Sequence, residues 1–337
     1  MKKMNKDERI NAVLKGEPTD RVAASFWRHF YQSEDSARGL ADAMLLFQEN
    51  YDWDFMKVNP RASYHYEDWG AEFQFFKDGL KKPRRLDYPV KKLSDLEKIH
   101  PLEPLKTKVL REQIDALHFI KKGLDKHTYF VMTVFTPLSI AGDMTETRDT
   151  FKEYMLEDPK LAKQAIEAVT VTFERFVSEL LNVGVSGLFF ATTHWGTRDR
   201  ITKELFNEFS RPYDMRILNL VQECPLNILH VCKSNNMLEE LKDYPVHAFN
   251  WDSMDSTNPD MGEGQEIVNR TVIGGIDQKE TLFTGSVNKV IEEAEKARKE
   301  TRRNQWILGA GCTISPSTPA PSLKALREWI EKAHVNA

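Results

Sequence analysis

The sequence lacks the features of a secreted, disulfide-stabilised protein. Only three of its 337 residues are cysteine. An odd, low number in so long a chain argues against a disulfide framework. The first residues are basic, but no apolar run follows them, so we expect no secretion signal. We therefore expect a cytoplasmic protein whose cysteines are free thiols or metal ligands.

Long apolar runs and a surplus of positive charge are also missing. The most apolar stretch, residues 183–191, is far shorter than the roughly 20 residues of a membrane-spanning helix. Lysine and arginine number 47 against 51 acidic residues, a formal net charge of −4. Such a chain has no global basic field to hold a phosphate backbone. We therefore expect neither nucleic acid nor a membrane among its partners.

The chain has enough apolar material for one large core. Hydrophobic residues make up 41% and charged residues 29%, as in ordinary globular proteins. No Gly/Ser-rich or proline-rich linker divides the sequence, and no repeat is evident. We therefore expect a single domain over residues 1–337.

Eight short apolar runs alternate with longer amphipathic ones. Most of the runs are apolar on both faces, as in strands of a parallel sheet that is covered on both sides. Strand–helix alternation with eight strands predicts a (β/α)₈ TIM barrel, a fold of about 250 residues. The predicted strands cover residues 22–26, 55–58, 129–134, 187–191, 226–231, 247–251, 272–275 and 306–310.

The residues in excess of a minimal barrel have two predicted locations. One is a helix before the first strand, residues 6–15, which Gly16 and Pro18 end. The other is an insertion after the second strand, residues 70–101, which has the pattern of a hairpin and a loop. Further helical patterns cover residues 159–181, 204–221, 237–241, 287–302 and 322–334.

The most specific cluster of candidate residues contains two of the three cysteines. His230 and Cys232 lie two apart at the end of the fifth strand, so alternation places both on one face. Cys312 comes 80 residues later, after the eighth strand. One imidazole and two thiolates suit Zn²⁺, and three protein ligands leave the open fourth position of a catalytic site. The alternative is that these side chains only fill space in a core, as we expect for Cys224.

These residues resemble the His-x-Cys…Cys zinc motif of the cobalamin-dependent methyltransferases in the uroporphyrinogen decarboxylase superfamily. The resemblance extends along most of the chain, over residues 8–22, 205–213, 273–277 and 308–319. The first and third of these segments mark the superfamily, and the last, which contains Cys312, discriminates within it. The superfamily fold is a (β/α)₈ barrel, in agreement with the strand count.

Three departures distinguish the chain from true uroporphyrinogen decarboxylases. Those enzymes carry Arg-Gln-Ala-Gly-Arg after the first strand, where residues 27–31 here read Trp-Arg-His-Phe-Tyr. They place an aspartate for the pyrrole nitrogens after the second strand, but residues 55–66 contain no carboxylate. Their Gly-His-Gly near the eighth strand is Gly-Ala-Gly at 309–311. Cofactor-free decarboxylation is therefore the alternative function, and a non-catalytic metal- or corrinoid-binding barrel is a third.

The resemblance implies a zinc-dependent methyltransferase in which His230, Cys232 and Cys312 act through the metal. The methyl group would move between a corrinoid, methylcobalamin, and a thiol or a small methylated substrate. No Asp-x-His-x-x-Gly corrinoid motif occurs, since residues 125–130 carry phenylalanine in place of its glycine. We therefore expect a separate corrinoid protein as partner. The substrate, the direction of transfer, the resting fourth ligand and the choice between monomer and homodimer stay open.

Polar side chains at other predicted strand ends are candidates for substrate binding. An arginine there suits a carboxylate or sulfonate, although arginines also commonly form surface pairs. The two aspartates have further alternatives: a resting fourth zinc ligand, orientation of the histidine ligand, or plain hydrogen bonding. The candidates are Arg28, Lys57, Asn59, His194, Asp252 and Asp277.

Overall fold

Eight parallel strands surround the core in the computed structural model of the chain, which describes residues 3–301 and 304–333. Each predicted strand is present, within a few residues of its predicted ends. The strands are β1 Ala23–Ala24, β2 Phe55–Val58, β3 Tyr129–Phe135, β4 Leu188–Ala191, β5 Ile228–Val231, β6 Ala248–Trp251, β7 Thr271–Ile276 and β8 Trp306–Ala310.

The strands follow one another around a nearly closed barrel. Parallel pairing runs without interruption from β2 through β3 to β8, and β8 pairs with β1. β1 and β2 do not pair directly, and Asp54 connects them through hydrogen bonds to Ala24. Its backbone N–H donates to the carbonyl of Ala24 at 2.9 Å, and its carboxylate accepts from the Ala24 N–H at 2.8 Å. The predicted (β/α)₈ barrel is confirmed.

Helices cover the outside of the barrel between the strands. None of the described helices is long and apolar enough to cross a membrane. The α-helices are α1 Lys6–Lys15, α2 Ala37–Tyr51, α3 Lys108–Gly123, α4 Pro137–Asp143, α5 Arg148–Glu157, α6 Pro159–Val183, α7 Lys203–Phe209, α8 Arg211–Leu220, α9 Leu238–Leu241, α10 Met261–Val268, α11 Thr281–Thr284, α12 Val287–Glu300 and α13 Ala320–Lys332.

One predicted helix is divided in two. The pattern over residues 204–221 contains a break at Ser210, which separates α7 from α8. Pro212 lies in the first turn of α8, and a proline has no N–H to continue the hydrogen bonds of the preceding helix. The predicted helices ending at Arg302 and His334 are observed as α12 and α13, and those two residues lie outside the described part.

The insertion after β2 is the predicted hairpin. Its antiparallel strands, Glu72–Gln74 and Arg84–Asp87, are followed by the 3₁₀ helix Leu93–Lys98. Arg85 attaches the hairpin to the barrel. Its guanidinium donates to the backbone carbonyls of Asp143 and Thr145, at 3.1 and 2.9 Å, and to that of Glu146. The hairpin therefore lies beside the loop between α4 and α5.

The N-terminal helix α1 packs against one end of the barrel interior. Its Ile10 and Val13 belong to the apolar cluster formed by inward-facing residues of the strands, among them Phe55 and Phe189. Gly16 ends the helix in the left-handed conformation, with φ +74°. The opposite end of the barrel, at the C-terminal ends of the strands, is therefore the end that α1 does not cover.

Candidate metal centre and adjoining cavity

The ends of β5 and β8 bring three metal-ligating side chains together. His230 lies in β5, Cys232 directly follows that strand, and Cys312 comes two residues after β8. One ligand atom from each side chain lies within 4.8 Å of the other two. The sequence predicted this grouping from the i, i+2 spacing and the position of Cys312 after a strand.

A hydrogen bond to Asn250 fixes which nitrogen of His230 is available. His230 Nδ1 lies 2.6 Å from Oδ1 of Asn250. The Asn250 amide nitrogen donates to the carbonyls of Ile273 and Ala310, at 2.9 and 3.0 Å, which orients the amide. Its oxygen is therefore an acceptor, so His230 Nδ1 carries the hydrogen. Nε2 then keeps its lone pair for a metal.

The two cysteines interact with each other and with His230. A hydrogen bond from Cys232, together with the nearby His230, holds the pKa of Cys312 well below its usual range. The same hydrogen bond and burial raise the pKa of Cys232. Cys312 Sγ lies 3.6 Å from His230 Nε2. A tetrahedral zinc with bonds of about 2.05 Å to nitrogen and 2.3 Å to sulfur would hold those atoms about 3.6 Å apart.

Close backbone packing positions both cysteines. The N–H of Cys232 donates to Thr192 Oγ1 at 3.4 Å, and the N–H of Thr192 donates to the carbonyl of His230 at 3.1 Å. Beside Cys312, a Cβ on Gly311 would lie 2.6 Å from the Cα of Asp252. Glycine is therefore required for the chain to pass this point. The donor set and its geometry fit a zinc ion with three protein ligands.

Lys57 and Asn59 lie in the barrel interior near this centre. Lys57 is 4% exposed, and its Nζ donates to Asn59 Oδ1. Burial lowers the pKa of Lys57 to about 7, against the opposing influence of Cys312 and Glu34. Nζ lies 4.5 Å from the ring centroid of Phe189. The amide nitrogen of Asn59 is buried without a hydrogen-bond partner in the described part of the chain.

The other predicted substrate-binding residues have separate surroundings. Arg28 donates to the carbonyl of Pro316 at 3.0 Å and packs over the ring of Phe47. Asp252 accepts from Gln278 at 2.8 Å and pairs with Lys279. Asp277 accepts the backbone N–H groups of residues 279 and 280. None of these three lines the cavity described next, and neither aspartate orients His230, whose Nδ1 donates to Asn250.

A cavity of about 350 Å³ opens at the same end of the barrel, over β1 to β4. The hairpin insertion and the loops after these four strands form its walls. Apolar and aromatic side chains make up part of the lining, including Tyr66, Phe73 and Phe135. His194, a predicted substrate-binding residue, also lines it. His194 is two residues from Thr192, so one loop contacts both the cavity and the metal centre.

Positive charge surrounds His194. Burial and four cations, Arg148, Lys233, Arg200 and Lys82, lower the pKa of His194 to about 3. Arg148 and Lys82 themselves line the cavity. Asp143 pairs with Arg148 at 2.6 Å, and burial raises the pKa of Asp143 despite this partner. The His194 side chain is therefore neutral near pH 7, although cationic side chains surround it.

Three residues of the candidate site were not predicted as site residues from the sequence. Asn250 lies within an apolar strand and gave no signal apart from its polarity. His29 and Glu34 follow β1 and form a hydrogen-bonded pair on the cavity wall. Their proximity depends on the turn between them, which no motif marks.

Comparison with known proteins connects this site to a family. The family described as "Uroporphyrinogen decarboxylase (URO-D)" matches residues 5–333. The chain is 21% identical over 229 residues to the "Methylcobamide:CoM methyltransferase MtaA" of Methanosarcina barkeri, a match that covers 67% of this chain and 65% of that protein. It is also 21% identical over 251 residues to a "Uroporphyrinogen decarboxylase" of Prochlorococcus marinus (strain NATL1A), covering 71% and 68%. The chain thus spans about two thirds of the length of these relatives.

Solved structures share the fold. A "methyltransferase from Methanosarcina mazei" superimposes with a TM-score of 0.81 at 19% identity, covering 97% of this chain and 99% of that one. A B12-independent methionine synthase from Shewanella sp. W3-18-1 gives a TM-score of 0.59 at 12% identity, covering 92% and 97%. At these identities the likeness concerns the barrel alone.

Proposed function

The chain belongs to the uroporphyrinogen decarboxylase family, and we propose that within this family it is a zinc-dependent methyltransferase. It would move a methyl group between a corrinoid, supplied as methylcobalamin by a separate protein, and a thiol or small methylated substrate. The relative from Methanosarcina barkeri carries a methyltransferase name, which supports this branch.

The grouping of His230, Cys232 and Cys312 is the observation that carries the proposal. Their ligand atoms lie within 4.8 Å of one another, and Asn250 leaves His230 Nε2 free to bind. A zinc bound there would supply Lewis acidity, which lowers the pKa of a thiol or polarises a methyl donor. The three protein ligands leave a fourth position for that substrate.

The adjoining cavity provides the space for the substrate. Its border at Thr193 and His194 continues into Thr192, which bonds the backbone of Cys232. The loop at residues 192–194 would therefore lie between a substrate in the cavity and Cys232. The opening of the barrel at this end also leaves room for a corrinoid protein to approach.

Hydrogen-bonding polarity disfavours the decarboxylase alternative. The sequence comparison expects an acidic acceptor for pyrrole N–H groups after β2. The polar side chains of residues 55–66 are instead Lys57, Asn59, Arg61, Ser63 and His65, none of which is a carboxylate. The pyrrole N–H groups of a porphyrinogen would therefore have no anionic acceptor in this segment.

Metal analysis combined with two activity assays tests the proposal. The purified protein should bind about one zinc per chain and transfer the methyl group of methylcobalamin to 2-mercaptoethanol. The same preparation should convert no uroporphyrinogen to coproporphyrinogen above the rate without protein. Decarboxylation without zinc would establish the alternative function, whereas bound zinc with no methyl transfer in either direction would favour the non-catalytic barrel.

A further inference from the structure

A buried glutamate and a histidine form a pair on the cavity wall. Nδ1 of His29 lies 2.9 and 3.2 Å from the two carboxylate oxygens of Glu34. The Glu34 side chain is 0% exposed and that of His29 is 19% exposed, so the carboxylate lies behind the ring. The backbone N–H of Phe30 also donates to Glu34. In the described ranges 3–301 and 304–333, no lysine or arginine nitrogen lies within 4.0 Å of this carboxylate, and His29 is its only basic side-chain partner at that distance.

The pair fixes the hydrogen on one nitrogen of the ring. An ionised carboxylate only accepts hydrogen bonds, so His29 Nδ1 is the donor. Within the described residues no group is hydrogen-bonded to Nε2. That nitrogen is therefore the one available to a ligand. A carboxylate that orients an imidazole in this way is the arrangement by which enzymes prepare a histidine for proton transfer.

The surroundings hold the ring in place without competing for its role. Tyr31 stacks on His29 with centroids 5.1 Å apart and an angle of 15°. Burial and the Glu34 charge raise the pKa of Tyr31 to about 12, so its phenol stays protonated. The other charged groups near the pair are Lys57, which interacts electrostatically with Glu34, and Arg61, which donates to the Glu34 carbonyl.

The barrel order relates this pair to the candidate metal centre through two neighbouring strands. β1, which precedes His29, pairs with β8, which precedes Cys312. The pairing continues beyond both strands, because the N–H of Ile314 donates to the carbonyl of Trp27 at 3.0 Å. The opposite border of the cavity, at His194, adjoins the loop that contacts Cys232. The cavity that His29 lines is therefore connected to the candidate metal ligand Cys232 through the loop at residues 192–194.

We propose that His29 Nε2 is the proton-transfer group for the heteroatom that gains or loses the methyl group, an assignment that rests on the proposed function. When a thiol accepts the methyl group, its S–H bond breaks and Nε2 takes the proton. The sulfur electron pair forms the S–CH₃ bond, while the cobalt–methyl bond of the corrinoid breaks and leaves its electron pair on the reduced corrinoid. In the reverse direction, the bond between heteroatom and methyl breaks and the methyl passes to the reduced corrinoid. The electron pair left on the heteroatom then takes the proton from Nε2.

His194 provides an internal comparison. It lines the same cavity, but no carboxylate in the described part of the chain is hydrogen-bonded to it, and burial and nearby cations lower its pKa to about 3. It therefore stays neutral near pH 7 and cannot accept the proton. Of these two histidines, only His29 has a carboxylate partner that orients its ring for proton transfer.

The test counts protons released when the zinc-loaded protein binds 2-mercaptoethanol near pH 7.5, with an indicator dye in weak buffer. Wild type should release fewer protons per thiol than a variant without the pair, because Nε2 takes up the proton. The variants His29→Gln and Glu34→Gln should release about one. Methyl transfer should fall by about 10²- to 10⁴-fold in His29→Gln, the usual effect of losing a general acid–base group. Added imidazole should restore part of the rate in His29→Ala.

Two controls separate this inference from the proposed function. His127→Gln removes another histidine paired with a carboxylate, Asp7, which lies outside the cavity, and should match wild type in both measurements. Equal proton release and rates within twofold in His29→Gln, alongside an active zinc-loaded wild type, would overturn the assignment and leave the proposed function intact. A wild type that binds no thiol would contradict the proposed function and this assignment with it.

Discussion

His230 and Asn250 lie directly opposite each other in the register of β5 and β6, and Nδ1 of the histidine lies 2.6 Å from the amide oxygen. The Asn250 amide cannot rotate freely, because its nitrogen donates to two backbone carbonyls. The sheet itself therefore determines the tautomer of His230 and the orientation of its ring. Partners of this kind tune the affinity of a metal site even though they do not touch the metal.

Replacing Asn250 by alanine should weaken zinc binding by about 10- to 100-fold, because His230 loses the partner that holds its hydrogen on Nδ1. Competition with a chromogenic chelator measures the change. Asn182→Ala, an exposed asparagine of α6, is the matched control and should bind zinc like wild type. Unchanged affinity in Asn250→Ala would show that the ligand geometry does not depend on this hydrogen bond.

Removing a cysteine ligand should have a larger effect. Cys312→Ala eliminates one of three predicted ligands, so zinc content and methyl transfer should both fall strongly, by more than the 10- to 100-fold typical of an outer-shell loss. The barrel should still fold, since the larger of the two apolar clusters in the described part of the chain contains 75 buried residues, and none of them is a candidate metal ligand. Metal analysis and circular dichroism measure the two properties.

Cys224 is the matched control for that experiment. It packs against the core away from the metal centre, and burial raises its pKa. Cys224→Ala should keep the full zinc content. If Cys312→Ala also kept its zinc and its activity, the assignment of the metal ligands would be wrong.

The strands could be predicted because their signal is local. A strand buried on both faces is a short apolar run, and each run of this chain became a strand of the barrel. The helices were harder. α3 has buried residues at helical spacing, including Val109, Leu117 and Ile120, and a systematic count of periods would detect it. α4 is seven residues long and buried throughout, so it has no periodicity to detect.

The predicted metal ligands could be identified from the sequence, whereas the residues that support them could not. His230 and Cys232 share a strand end, so alternation alone predicts their common face. The role of Asn250 requires the register between β5 and β6, which emerges only when the sheet forms. The pairing of His29 with Glu34 likewise requires the folded turn between them.

A buried charge network includes two arginines of residues 8–22, the segment that resembles the superfamily. It provides a third prediction. Arg9 and Arg21 both donate to the carboxylate of Asp54, at 2.6 to 2.9 Å, and all three side chains are nearly inaccessible. Asp54→Ala would leave two buried guanidinium groups without this partner. The free energy of unfolding should fall by about 3–5 kcal/mol, as when one member of a buried ion pair is removed. Denaturant titration measures it.

The control for Asp54 is an exposed ion pair. Asp42 accepts from Arg38 at 2.9 Å on the surface of α2, and both side chains are more than half exposed. Pairs of this kind contribute little, so Asp42→Ala should leave the unfolding free energy nearly unchanged. Equal effects of the two substitutions would contradict the structural role assigned to Asp54.

The fourth prediction concerns acid stability and His65. Its Nε2 accepts the N–H of Phe135 at 3.0 Å, its Nδ1 lies 3.0 Å from the carbonyl of Ala62, and its ring stacks on Phe135. Both nitrogens are satisfied in the neutral form, and a second ring hydrogen would meet the Phe135 N–H. Burial lowers the pKa of His65 to about 3, below the ordinary value of 6.5.

Between these two pKa values the unfolded chain binds a proton at His65 that the folded protein excludes. The stability that His65 contributes is therefore present above about pH 6.5 and is lost as the pH falls, by about 1.4 kcal/mol per pH unit. His65→Gln should remove this part of the slope of unfolding free energy against pH between pH 4 and 6. The exposed His118→Gln on α3 should leave the slope unchanged. If His65→Gln also retained the full slope, the ring would have to accept its proton within the folded barrel, contrary to the hydrogen bond from Phe135.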